Sequence, residues 1–288
     1  MKGFLASALA LAERAGVVKL STPLSPSISY DEEIGCVGIR QMMLELKDLI
    51  GKPRIVIVGE PSSMKVATGH KGKAAFIVTC HGQAGHSALA PQFVNAIHVA
   101  AAFVCQTRRL QEKLTAGIQG DAYNIPYSTV HIGKIIGGRA LNIVQDNAQL
   151  DMELRHLIDT SAGDIQHEIE GIAMQVSDAY PQASPITVEL INAYPGLQND
   201  PSDVTVLWAT KLAEAIGSTK VPFGTEAGFF ANLGLTTVVI GPGNMAIDEH
   251  QPDEGLSKID LVTCDVMLNN ILGKLIASLM EDQRPVMH

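Results

Sequence analysis

The feature that most constrains this chain is the order of its apolar segments between Lys71 and Tyr194. AAFIVTCHG reads as a strand, VNAIHVAAAFVCQTRRLQEKL repeats its apolar residues at helical spacing, and STVHIGKIIGG and AQLDMELRHL read as two more strands. SAGDIQHEIEGIAMQVSDAY is a second helix and ITVELINAY a fourth strand. The order β-α-β-β-α-β is the split, ferredoxin-like arrangement, which packs one sheet against two helices as an independent α+β sandwich.

The flanking segments follow a different rhythm. An opening helix leads to a strand-like LSPSISY, the acidic DEEIGCVG, a helical QMMLELKDLI and the buried-strand signature RIVIVGE. From about Asp200 the chain returns to helix (VTVLWATKLAEAIG), strand and loop (TTVVIGPGN) and a long final helix (KIDLVTCDVMLNNILGKLIASLM). The expectation is an α/β domain in two parts, residues 1–70 and 198–288, with a small domain, 71–197, inserted between them. At 288 residues and 46% hydrophobic, the chain can bury a core in each.

Composition excludes some functions. A net charge of −9 with scattered basic residues offers no footprint for a phosphate backbone, so nucleic acid is not an expected partner. No apolar run reaches the roughly 18 residues that a membrane span needs. The opening MKGFLASALALA has the look of a secretory leader, but Phe4, Leu5, Ala8, Leu9, Leu11 and Ala12 also fall on one side of a helix, and the amphipathic-helix reading is preferred. Cys36, Cys80, Cys105 and Cys264 are widely spaced without a C-x-x-C pair, which predicts reduced, buried thiols and a cytoplasmic protein.

Three constellations have the residue types for chemistry. Asp31-Glu32-Glu33 are three consecutive carboxylates at the end of an expected strand, either splayed into solvent or held against a cation. Glu60 follows the apolar strand of RIVIVGE, where ligands sit in open α/β sheets, though a plain loop carboxylate is the commoner case. His250 stands in IDEHQPDE after the Gly-rich GPGN, beside carboxylates that suit zinc, or simply exposed. Glutamate and histidine at three strand ends of one domain form a donor set for zinc or cobalt in a hydrolytic site.

SYDEEIGCVG, VGEPSSMKVATGHKGK, GQAGHSALAP, IIGGRALNIV, the following Arg155, PFGTEAGFF and EHQPDE resemble, in order, the motifs of the zinc aminoacylase and carboxypeptidase superfamily. The pairing of GEPSSM with GHKGK, and GTEAG, are most similar to its branch that removes an acetyl group from the α-amine of an amino acid. The resemblance implies a di-zinc exopeptidase-like catalytic domain with an inserted lid and dimerisation domain. It also implies two zinc ions (cobalt possible), an N-acyl amino acid as substrate and a homodimer formed through the inserted domain. It makes Glu32 the general base, Glu33 and His250 ligands of one zinc, and Glu60 a ligand of the other. His86 would stabilise the oxyanion, in dimeric relatives from the partner subunit. Asn142, Arg155 and the Gly224-Thr225-Glu226 turn would contact substrate, Arg155 by gripping a carboxylate.

The family pattern further holds an H-x-D motif and a bridging aspartate, and these 288 residues contain no H-x-D. The expectation is therefore an incomplete two-metal site, little or no hydrolysis by the chain as written, and an unpaired edge in the main sheet. A dipeptidase, a deacylase of another acyl amino acid, or an inactive dimerisation module are the alternatives.

Overall fold

The computed structural model describes residues 1–215, 217–245 and 252–276. Helices α1 (Lys2–Gly16) and α2 (Val37–Ile50) precede strands β1 (Val56–Val58), β2 (Val66–His70) and β3 (Gly72–His81). A short β4 (Gly85–His86) and a 3-10 turn (Ser87–Gln92) lead to α3 (Ala96–Thr115), β5 (Thr129–Gly137), β6 (Ile143–Val144) and β7 (Asn147–His156). Helix α4 (Ala162–Asp178), β8 (Thr187–Tyr194), β9 (Leu197–Gln198), α5 (Val204–Leu212) and β10 (Ser218–Val221) follow. Helix α6 (Ala227–Asn232), β11 (Thr237–Val239) and α7 (Lys258–Ile276) complete the described chain. It divides into two compact units, Met1–His70 with Leu197–His288, and Lys71–Gly196.

The Lys71–Gly196 unit is an antiparallel sheet, β5-β7-β3-β8, whose one face carries α3 and α4. Strict alternation in β3 sends Ala74, Phe76, Val78 and Cys80 inward, and β7 answers with Ala148, Leu150, Met152 and Leu154. Those side chains meet Val99 and Phe103 of α3 and Ile165 and Ile169 of α4. Burying an aliphatic or aromatic side chain of this size contributes about 1.5–3 kcal/mol. Both helices start on a side-chain cap: Asn95 Oδ1 accepts the Ile97 N–H at 2.9 Å, and Ser161 Oγ accepts the Asp164 N–H at 3.1 Å.

The other unit is built on a mixed sheet, β1-β11-β2-β10, in which β1 runs parallel to β11 and β10 parallel to β2, while β9 lies antiparallel to β2. Helices α1, α5 and α7 cover it through Leu11, Ala15, Val206, Ala209, Met267, Leu268 and Ile271, which meet Val66, Val238 and Ile240 of the sheet layer. The fold is thus α/β with an inserted α+β sandwich.

Three expectations need correction. LSPSISY forms no strand: Ile28 and Tyr30 are exposed, so no burial favours a ladder, and the carboxylates at 31–33 follow an extended loop instead. In α1 the buried face runs through Ser7, Leu11 and Ala15, leaving Leu5 and Leu9 outside, because the packing partner α7 selects one stripe of a helix that is apolar on most sides. Cys105 is exposed on α3, unlike the three other cysteines. Strand β2 (VATGH) was not foreseen; a central strand buried at every position loses the alternation that marks a half-exposed one.

Candidate active site

Glu60 lies two residues beyond β1 and is 8% exposed. The loop that follows it is laced to the glycine-rich segment after β11. Ser62 N–H and Met64 N–H both donate to Gly241 O, at 3.2 and 3.0 Å, and Ser63 N–H donates to Gly243 O at 2.8 Å. Ser62 Oγ donates to Lys65 O at 2.7 Å and accepts the Gly241 N–H at 3.2 Å. A Cβ on Gly241 would stand 2.7 Å from Glu60 O, so only glycine lets the two segments approach this closely. The chain then continues into residues 246–251; His250 lies outside the described residues.

Glu32 sits in a turn. Gly35 N–H and Cys36 N–H donate to its carbonyl at 2.9 and 2.8 Å, with Asp31 and Cys36 in the left-handed region at φ 55° and 56°. Its side chain is half-buried and accepts from Cys36 Sγ at 3.5 Å, whereas Glu33 points to an exposed position. Gly38 clears room for this turn: a Cβ there would collide with Tyr30 O. Burial, then the charges of Glu32 and Glu226, push the Cys36 thiol far above its ordinary pKa.

The Gly224-Thr225-Glu226 turn closes on the same cluster. Glu226, 7% exposed, accepts from Ser29 Oγ at 2.5 Å through Oε2, while its Oε1 is buried without a hydrogen-bond partner among the described residues. Burial raises the Glu226 pKa, and the Ser29 bond opposes that rise. Thr225 Oγ1 accepts the Ala227 N–H at 3.1 Å and lies 3.0 Å from Nε2 of the fully buried His70. Cys36 thus bonds Glu32 and lies within reach of the charge of Glu226. The supporting roles of Ser29 and His70 had no signal in the sequence, since each pairs with a residue far away along the chain.

A second set lies in the Lys71–Gly196 unit. β4 pairs with β6, placing His86 opposite Ile143, next to Asn142, whose carbonyl accepts the Ser87 N–H at 3.0 Å. His86 is exposed, and its Nδ1 accepts the Ala88 N–H at 3.1 Å. A neutral ring so fixed carries its proton on Nε2, the tautomer that can donate to an oxyanion. Arg155, on β7, is apart from this pair: its Nε and Nη2 donate to Glu153 at 2.6 and 3.3 Å, and its Nη1 donates to Tyr194 Oη at 2.9 Å.

The implied metal can be weighed against these residues. Two carboxylates and an imidazole, Glu33, Glu60 and His250, are the donor chemistry that zinc or cobalt takes. Among the described residues no three His, Cys, Asp or Glu side chains gather into a metal cluster. The donor types fit the ion.

Residues 68–181 match the family model of the peptidase dimerisation domain. The chain is 32% identical over 259 residues to the acetylornithine deacetylase of Salmonella typhimurium; the match covers 89% of this chain and 65% of that protein's length. Among solved structures, the aminopeptidase PepT of Bacillus cereus superposes with a TM-score of 0.73 at 20% identity, over 96% of this chain and 71% of that one. Human carnosine dipeptidase 1 superposes with a TM-score of 0.68 at 11% identity, over 96% and 72%.

Proposed function

We propose that the chain belongs to the zinc aminoacylase and carboxypeptidase superfamily and serves a metal-dependent amide hydrolase that removes the acetyl group of N2-acetylornithine to give ornithine and acetate; with no H-x-D motif among its 288 residues, little or no turnover is expected of the chain by itself. The observation that carries the substrate is the 32% identity to acetylornithine deacetylase over 89% of the chain. Support for the chemistry comes from the buried Glu60 on its braced loop and from the half-buried Glu32 of the 31–36 turn.

In this reading Glu33 and His250 hold one divalent ion and Glu60 serves a second position. A bound ion acidifies water and polarises the amide carbonyl. Glu32 takes the proton of the attacking water and returns it to the leaving α-amine. His86, through Nε2–H, donates to the developing oxyanion, Asn142 beside it orients the acyl group, and Arg155 takes the α-carboxylate. Glu226 and its turn line the substrate position.

The reading includes a homodimer through the Lys71–Gly196 unit. β5 is an edge strand with Ile135 and Ile136 more than half exposed, the kind of face that a second copy covers.

The test is binding and turnover on a panel: N2-acetylornithine, N2-acetylglutamate, N-acetylmethionine and a dipeptide, with and without added zinc or cobalt. The expected result is metal-dependent preference for N2-acetylornithine, with any ornithine release lost in Glu32→Gln while binding persists. Preference for the dipeptide, or affinity indifferent to metal, overturns the reading.

A further inference from the structure

Arg155 presents a problem that its neighbours solve. A guanidinium has five N–H donors, and three of those on Arg155 are spent, two on Glu153 and one on Tyr194 Oη. The bidentate contact with Glu153 fixes the orientation of the group, and Tyr194, itself 8% exposed, fixes it from a second strand. Yet a lone Arg–Glu pair is neutral and has little left with which to attract an anion.

Lys73 changes that balance. On β3 it stands in register opposite Arg155, and its Nζ lies 2.9 Å from Glu153 Oε2, the same oxygen that receives Arg155 Nη2–H at 3.3 Å. Glu153 is thus shared by two cations, and its pKa is lowered: burial opposes, but the bonds and charges of Arg155 and Lys73 prevail. Lys71, 7% exposed, has its pKa lowered by burial and then by the charge of Arg155, and its Nζ donates to Tyr127 O at 2.5 Å. Two cations, Arg155 and Lys73, therefore share one carboxylate. Asp151, the next acidic residue along β7, is already paired with Lys134 at 3.3 Å.

We propose that Glu153 and Lys73 act as a positioning pair for anion recognition: Glu153 aims the Arg155 guanidinium, and Lys73 cancels the charge of Glu153. The positive charge of Arg155 and its two remaining N–H donors then stay available to a ligand carboxylate. This inference rests on the reading of Arg155 as the residue that takes the α-carboxylate. It assigns Lys73 and Glu153 an indirect role, through Arg155, and not contact with substrate.

The experiment is calorimetric titration of the full chain with N2-acetylornithine and with its carboxamide, in the wild type, Lys73→Met, Glu153→Gln, the double variant Lys73→Met/Glu153→Gln, and Arg155→Met. Lys73→Met, which leaves a neutral Arg155–Glu153 pair, is expected to weaken the acid about tenfold and the carboxamide hardly at all. The double variant removes the uncompensated carboxylate and is expected to regain part of that loss, which no merely structural role of Lys73 predicts. Lys73→Gln carries the same charge change if Lys73→Met fails to fold. An unchanged affinity in Lys73→Met, equal losses for acid and carboxamide, or a double variant no better than Lys73→Met each overturn the proposal alone. A wild type that does not favour the acid, or Arg155→Met that still does, overturns the Arg155 reading and the proposal with it.

Discussion

Glu226 is the side chain whose environment makes the sharpest prediction. Burial raises its pKa above the ordinary 4.5 and Ser29 only partly opposes this, so the folded chain binds that proton more tightly than the unfolded one. Its contribution to stability is complete below the unfolded value and is lost as pH rises through the raised folded one. Glu226→Gln is expected to flatten the fall of melting temperature with rising pH above about 4.5; an unchanged slope contradicts the assignment. The cysteines give a second test. Burial holds Cys80 and Cys264 up to about 11 and Cys36 higher still, while Cys105 is exposed. A thiol reagent applied to the native protein is expected to label one site quickly, and Cys105→Ser to abolish that labelling. At this scale Glu32, Glu60 and Glu226 were legible as chemistry-bearing types in motifs. That Glu226 leans on Ser29, or that His70 meets Thr225 Oγ1, was not, because the partners lie 197 and 155 residues apart.

Periodic elements were read most easily. α3 and α4 carry apolar stripes long enough to fix both their existence and their buried faces, and burial alternates over all ten residues of β3 and from Asn147 to Arg155 in β7. Phe103, fully buried between α3 and the sheet, is expected to cost about 3–5 kcal/mol when cut to alanine, read by chemical denaturation. A loss under 1 kcal/mol would contradict the packing. The shortest elements escaped the sequence. β4 and β6 are two residues each, and their position depends on pairing with each other across the inserted unit instead of on pattern. RIVIVGE marked the three-residue β1 and Glu60 after it, but not the bonds that tie the Glu60 loop to Gly241 and Gly243. Gly241→Ala should push its Cβ into the Glu60 backbone, and it is expected to weaken metal binding more than it lowers the melting temperature.

At the scale of the molecule, two units have separate hydrophobic cores, one centred on Phe76 and Phe103 and one on Val66 and Ile271. The split β-α-β-β-α-β order made the first visible from sequence, since local rhythm dictates it. The mixed sheet of the second was less legible, because β2 and β10 pair across the whole inserted segment and beyond it. In light scattering, Ile136→Lys at the exposed edge of β5 is expected to shift a dimer to monomer; an unaltered mass would place the contact elsewhere. The proposed function joins a metal to the recognition of an acetylated amino acid. Its most direct test is the affinity for N2-acetylornithine measured with and without zinc, in the wild type and in Glu60→Gln. Zinc-dependent binding that Glu60→Gln weakens is the predicted result; an affinity the same under all four conditions would contradict it.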